Sequence, residues 1–229
     1  MAPLLLCSTS QSALSTQHFL SQHSELSTHH FSMQIAKIVK SNSHVDYVGR
    51  VLDRLDSPDH PSPEHYRFGQ FVAVPGDLIT AIGIIYNTQL VNPEFGRLGP
   101  RLSSSIEMNA VFSPDLVNEQ GVLVGLLLVG WTNAGGGSAQ GMPPMVVPVN
   151  SAIVTMTDPD VRSFHTDRGG RLSLRYYAQV VTHARQFAPQ LLLAVLDHLE
   201  TLFGDESKSE IGMLRRTLTW QHVFQGKSL

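Results

Sequence analysis

Phe68-Gly69-Gln70-Phe71-Val72-Ala73-Val74-Pro75-Gly76-Asp77 runs straight into Leu78-Ile79-Thr80-Ala81-Ile82-Gly83-Ile84-Ile85-Tyr86-Asn87. The reading of this stretch decides the fold. Two apolar runs, 68–74 and 78–87, have the length and the β-branched content of strands. Between them Pro75 presets φ and Gly76 tolerates positive φ, so the chain turns back on itself there. The second run is apolar from Leu78 to Tyr86 apart from Thr80 and Gly83.

The same punctuation extends outward. Ile35 to Val39 and Tyr47 to Leu52 read as two earlier strands, and Val122 to Trp131 as a fully buried later one. Val146 to Met156 reads as a last strand, interrupted by Pro148, which cannot sit in a central ladder without a bulge or an open edge. Loops separate them at 56–64 (Pro58, Pro61, Pro63), 92–105 (Pro93, Gly96, Gly99, Pro100) and 133–144 (Gly135 to Gly137, Pro143, Pro144). About six short strands with long irregular loops favour a small closed β-barrel over a sandwich, because closure removes exposed edges.

Beyond residue 157 the apolar period lengthens. Leu174, Tyr177, Val180, Val181 and Ala184, then Leu192, Val195, Leu196 and Leu199, recur at helical spacing. Pro189 splits the run, predicting helices over 172–187 and 189–203. Gly204 is a natural C-cap, and Ser209 to Phe224 forms a third helix. The expectation is a barrel over 33–157 and a helical region over 158–229, α+β overall. Residues 1–32, rich in Ser, Thr, Gln and His, read as a disordered tail, with Met33 as an alternative start of the natural product.

Composition excludes several classes. The 229 residues are 42% hydrophobic and 15% charged, which rules out a fully disordered chain. No apolar run approaches a bilayer span. The tail lacks the charged start and long apolar core of a secretory signal, so the expected compartment is the cytoplasm. A single cysteine, Cys7, excludes a disulfide framework or a multi-cysteine metal site. The formal charge of −3 is uneven: residues 33–160 carry 7 basic and 12 acidic side chains, residues 161–229 carry 9 and 6.

Candidate chemistry is sparse. Gly130-Trp131-Thr132-Asn133-Ala134-Gly135-Gly136-Gly137 is the best match to a phosphate loop, but glycines occupy its lysine and hydroxyl positions. Ser138 lacks the glycine two residues on that a nucleophile elbow needs. Among 11 histidines, His18, His23, His29 and His30 are in the tail, His44, His60 and His65 in loops, and His183 and His198 on helices, with no metal-ligand spacing. Asp53, Asp56, Asp59 and Glu64 could do acid–base work but read more simply as a solvated loop. Phe68, Phe71, Tyr86 and Phe95 could stack bases, yet only Arg67 and Arg97 interleave with them. Arg162, Arg168, Arg171 and Arg175 form the one basic concentration, a candidate contact for nucleic acid or an acidic partner. No catalytic, cofactor or metal residue is assigned.

Tyr47-Val48-Gly49-Arg50-Val51, the 68–74 strand, Gly76-Asp77 and Thr80 to Tyr86 together resemble the HAS barrel, the small β-barrel at the N-terminus of HerA-type helicases and of rotary ATP synthase subunits. The likeness covers roughly 33–157 and is greatest to stand-alone cyanobacterial barrel proteins without an ATPase domain. Such barrels form a crown that holds neighbouring subunits together. The resemblance therefore implies assembly rather than hydrolysis, since no Walker lysine follows. The expectation is a non-enzymatic module acting through protein–protein contact or self-association. The alternatives are nucleic-acid binding by the basic C-terminal helices and an enzyme of unrecognised reaction.

Overall fold

The computed structural model describes residues 33–92 and 120–225. The expectations placed on the 1–32 tail, on the loop beyond Asn92, and on Cys7, Phe95 and Arg97 lie outside the described residues. Among the described residues seven strands run β1 Gln34–Ser41, β2 Asp46–Val51, β3 Phe71–Val74, β4 Ile79–Val91, β5 Gly121–Asn133, β6 Ser138–Gln140 and β7 Ala152–Thr155. Four α-helices of the described residues follow: α1 Asp158–Phe164, α2 Tyr177–His183, α3 Ala188–Phe203 and α4 Lys208–Gln225.

The strands pair in the order β2-β1-β7-β3-β4-β5, and β5 pairs back with β2. Every pairing is antiparallel, so six strands close a barrel and β6 is a hairpin extension of β5. The register keeps Tyr47, Gly49 and Val51 inward on β2 while Val48 and Arg50 face out, half-buried. That alternation marks a wall with one wet face. On β3 all four residues are buried, as are Ala81 to Ile85 on β4 and Leu126 to Gly130 on β5. This wall has helices against its outer face. Barrel interior and helix layer form one apolar cluster, from Ile35 to Leu218.

Close approach of strands needs glycine at several places, Gly49 and Gly130 among them. A Cβ on Gly49 would fall 2.4 Å from Ile153 Cδ1. One on Gly130 would meet the Ala139 carbonyl at 2.4 Å and the Phe164 ring at 2.6 Å, so Gly130 is where β6 folds back and α1 docks.

The structure corrects several expected boundaries. The strand expected from Phe68 begins at Phe71, because Gly69 turns with φ +82°. The strand expected over 146–156 is only Ala152–Thr155. The preceding residues cross one mouth of the barrel as a loop. His44 Nε2 donates to the Pro143 carbonyl (2.8 Å), Val147 N–H donates to the Tyr47 hydroxyl oxygen (3.2 Å) and Asn150 N–H to the Ile38 carbonyl (2.8 Å). The glycine-rich run expected as a loop is a tight β5–β6 hairpin, turning at Gly136 with φ +81°.

Helix α1 was not expected. Thr157 caps it, its Oγ1 accepting from Asp160 N–H, and Pro159 sits in the first turn. The helix expected to begin at Leu172 begins at Tyr177, because Leu172 bridges back to Thr166 and the Arg175 N–H is held by Gln140. Around Pro189 the chain breaks as expected, passing a 3-10 turn at Arg185–Phe187 before α3. Gly204, at φ +60°, ends α3.

Candidate functional site

Two surface features gather side chains that could meet another molecule: a basic cleft beside β6 and an apolar groove at the loop-crossed mouth. The cleft follows from how the chain leaves α1. Past Phe164 it forms a small hairpin whose stem is the Thr166–Leu172 bridge. Asp167 shapes the tip: its Oδ1 accepts from Gly169 N–H (2.8 Å) and Arg171 N–H (2.9 Å). Those backbone donors, that of Arg171 foremost, hold its carboxyl below the usual carboxylate range.

Gln140, on β6, anchors the hairpin's far side. Its Nε2 donates to the carbonyls of Phe164 (3.0 Å) and Ser173 (2.9 Å), and its Oε1 accepts from Arg175 N–H (2.7 Å). Between the hairpin and β6 lies a cleft of about 640 Å³, lined among others by Gly137, Ser138, Gln140, Thr166, Arg168 and Arg175.

The structure separates the four predicted arginines. Arg168 and Arg175 line the cleft. Arg171 is beside it, its guanidinium 3.8 Å from Asp167. Arg162 belongs elsewhere: it donates to the Leu202 carbonyl and its guanidinium stands 4.6 Å over the Phe203 ring, tying α1 to α3.

The second feature is apolar. A groove of about 340 Å³ runs between the β3–β4 turn and the mouth-crossing loop, lined by Val74, Pro75, Leu78, Ile79, Met145 and Val146. Leu78 and Val146 are each 67% exposed, with Val149 (64%) on the same loop. Such a concentration of large exposed aliphatics at one end of a barrel is unlike scattered surface hydrophobics.

Other sequence candidates serve the scaffold. Arg50 bridges Asp53 (3.0 Å) and Asp56 (3.6 Å), and both carboxylates also accept backbone N–H groups of their own loop. Phe71 is buried, while the Phe187 ring lies 6.5 Å from Phe68 and 6.3 Å from Tyr86, as edge-on packing of the helix layer. His198 pairs with Asp158 at 3.0 Å. Among the described residues no three His, Cys, Asp or Glu side chains are grouped to hold a metal ion. No helix among them is long and apolar enough to cross a membrane.

Sequence reasoning passed over His165. It is fully buried, with Phe71 and Phe164 edge-on at 5.1 Å and 5.0 Å. Nδ1 lies 2.7 Å from the Val161 carbonyl, which can only accept, so Nδ1 carries the proton. Nε2 then accepts from the Tyr176 hydroxyl, also at 2.7 Å. Burial pushes the imidazole pKa down to about 4 and the Tyr176 phenol well up. The pair is a neutral, satisfied joint between α1 and the start of α2. An isolated histidine among aromatics carries no pattern that announces this.

A family model described as a domain of unknown function (DUF8166) matches residues 19–227, and the chain belongs to that family. No curated protein matches it.

Proposed function

We propose that this member of the DUF8166 family is a non-catalytic contact module that self-associates through the apolar mouth of its barrel. The observation that carries the reading is the exposed aliphatic groove formed by Leu78, Met145 and Val146. Leaving such surface in water costs free energy that association recovers, at roughly 25 cal/mol per Å² buried. The likeness of the strand motifs to the HAS barrel supports the same reading, because those barrels hold neighbouring subunits of an assembly together. The cytoplasm is the compartment that goes with it.

Light scattering on the eluting protein tests the reading. The expected mass is a multiple of 25.2 kDa, falling to the monomer in a Leu78→Ser, Val146→Ser, Val149→Ser variant whose circular dichroism is unchanged. A chain that is monomeric at every concentration, with elution indifferent to these substitutions, overturns it. Nucleic-acid binding has less support. Arg162 is engaged with α3, leaving Arg168, Arg171 and Arg175 around one cleft rather than a basic stripe along a helix.

A further inference from the structure

Among the described residues β6 is paired on one side only. Asn133 N–H bonds the Gly137 carbonyl (2.9 Å) and Gly141 N–H bonds the Val129 carbonyl (2.8 Å). In an antiparallel ladder the bonding residues alternate. Between those two bonds Ala139, opposite Trp131, therefore turns its N–H and C=O toward β5, while those of Ser138 and Gln140 point away. Among the described residues β5 is the one strand that β6 pairs with, so no further strand of these residues takes its outer edge. The edge opens into the basic cleft: Gly137 to Gln140 line one side, Arg168 and Arg175 the other.

Two independent features therefore meet in one place. The edge presents backbone donors and acceptors at the spacing of an extended chain, which is the requirement for strand addition. The facing wall presents guanidinium groups that select negative charge. The Asp167 carboxylate on that wall is paired with Arg171 and already accepts two backbone bonds. The Gln140 clamp holds wall and edge at a fixed separation, so little ordering is left to pay for on binding.

We infer that the β6 cleft takes an extended acidic peptide segment of a protein partner, which adds as a strand to the Ser138–Gln140 edge with its carboxylates on Arg168 and Arg175. This rests on the reading of the chain as a contact module but uses a different surface from the apolar mouth. The strand edge distinguishes the ligand from a nucleic acid, which would use the arginines and have no need of the ladder.

The test is fluorescence anisotropy of the full chain with a labelled Glu-Val-Glu-Val-Glu-Val peptide at low salt. Binding is expected to weaken at least tenfold in an Arg168→Glu, Arg175→Glu variant, which should instead take the Lys-Val counterpart. A peptide N-methylated at alternate amides is expected to bind at least fivefold more weakly, with no change to the protein. Ser138→Pro removes an outward N–H without touching the β5 ladder and is expected to do the same. No binding of the acidic peptide, binding indifferent to N-methylation, or tighter arginine-dependent binding of an oligothymidylate would each overturn the inference. The mass of the chain and its mouth variant reads separately: an oligomer that ignores the peptide sinks only the cleft, and a monomer that binds it sinks only the mouth.

Discussion

His165 shows what one side chain can contribute when it is wholly enclosed. Its imidazole is neutral because burial penalises the charged form, and its two nitrogens are satisfied by Val161 and Tyr176. The folded pKa of about 4 lies below the ordinary value of 6.5. The unfolded chain therefore binds the extra proton more readily, and stability falls as pH drops from about 6.5 toward 4. The full loss is about 3 kcal/mol, taken at 1.36 kcal/mol per unit. Urea unfolding at pH 7 and at pH 4.5 should show this slope, and His165→Gln should flatten it while lowering stability at pH 7 by roughly 1–3 kcal/mol for the orphaned hydroxyl. A variant with the same acid slope would show that another group carries it. The glycines at Gly49 and Gly130 stand differently toward the sequence. Both interrupt apolar runs, and such interruptions are visible as marks of close approach. Which of them faces backbone and which a movable methyl is visible only in the packing.

At the scale of elements, the wall facing the helices and the wall facing water differ in a way the residue pattern announces. Ala81 to Ile85 and Leu126 to Gly130 are apolar without alternation, and both faces of the strands are covered there. The joints between elements are where the pattern was silent. α1 is short, and its signal was the Thr157–Asp160 cap with Pro159 rather than any apolar period. The start of α2 was displaced by a glutamine on a distant strand. Gly130→Ala should cost about 3 kcal/mol, because a methyl there meets a backbone carbonyl and an enclosed ring. Gly49→Ala should cost less, since the atom it meets first is the mobile end of Ile153. Thermal unfolding of the two variants checks the order, and equal losses would contradict it. Gln140→Ala should act locally: amide exchange at Arg175 and through the 166–172 hairpin should quicken several-fold while β4 and β5 stay protected. Uniform loss of protection would mean the clamp supports the barrel itself.

For the whole molecule, the continuity of the apolar cluster matters most. Residues of the barrel interior, such as Ile153 and Leu126, and of the helices, such as Leu192 and Leu199, belong to one buried set. A layer sharing its core with the barrel should unfold with it. Native-state exchange should give α3 and β5 the same opening free energy within about 1 kcal/mol at moderate denaturant. An α3 that opens well before β5 would show a separable domain instead.

The chain order of short strands, their proline and glycine turns, and the later change to helical spacing were enough to reach a closed barrel followed by helices. These are local properties, and each residue's own backbone preference and solubility enforce them. The arginines at 168, 171 and 175 were visible as a basic concentration for the same reason. That Arg162 leaves that group, that His165 is sealed, and that a three-residue strand, paired on one side only among the described residues, lies beside the arginines all depend on segments tens of residues apart being brought together. Which long-range contact wins at such a joint is settled by packing and by the obligation to satisfy buried polar groups, and neither leaves a periodic trace along the chain.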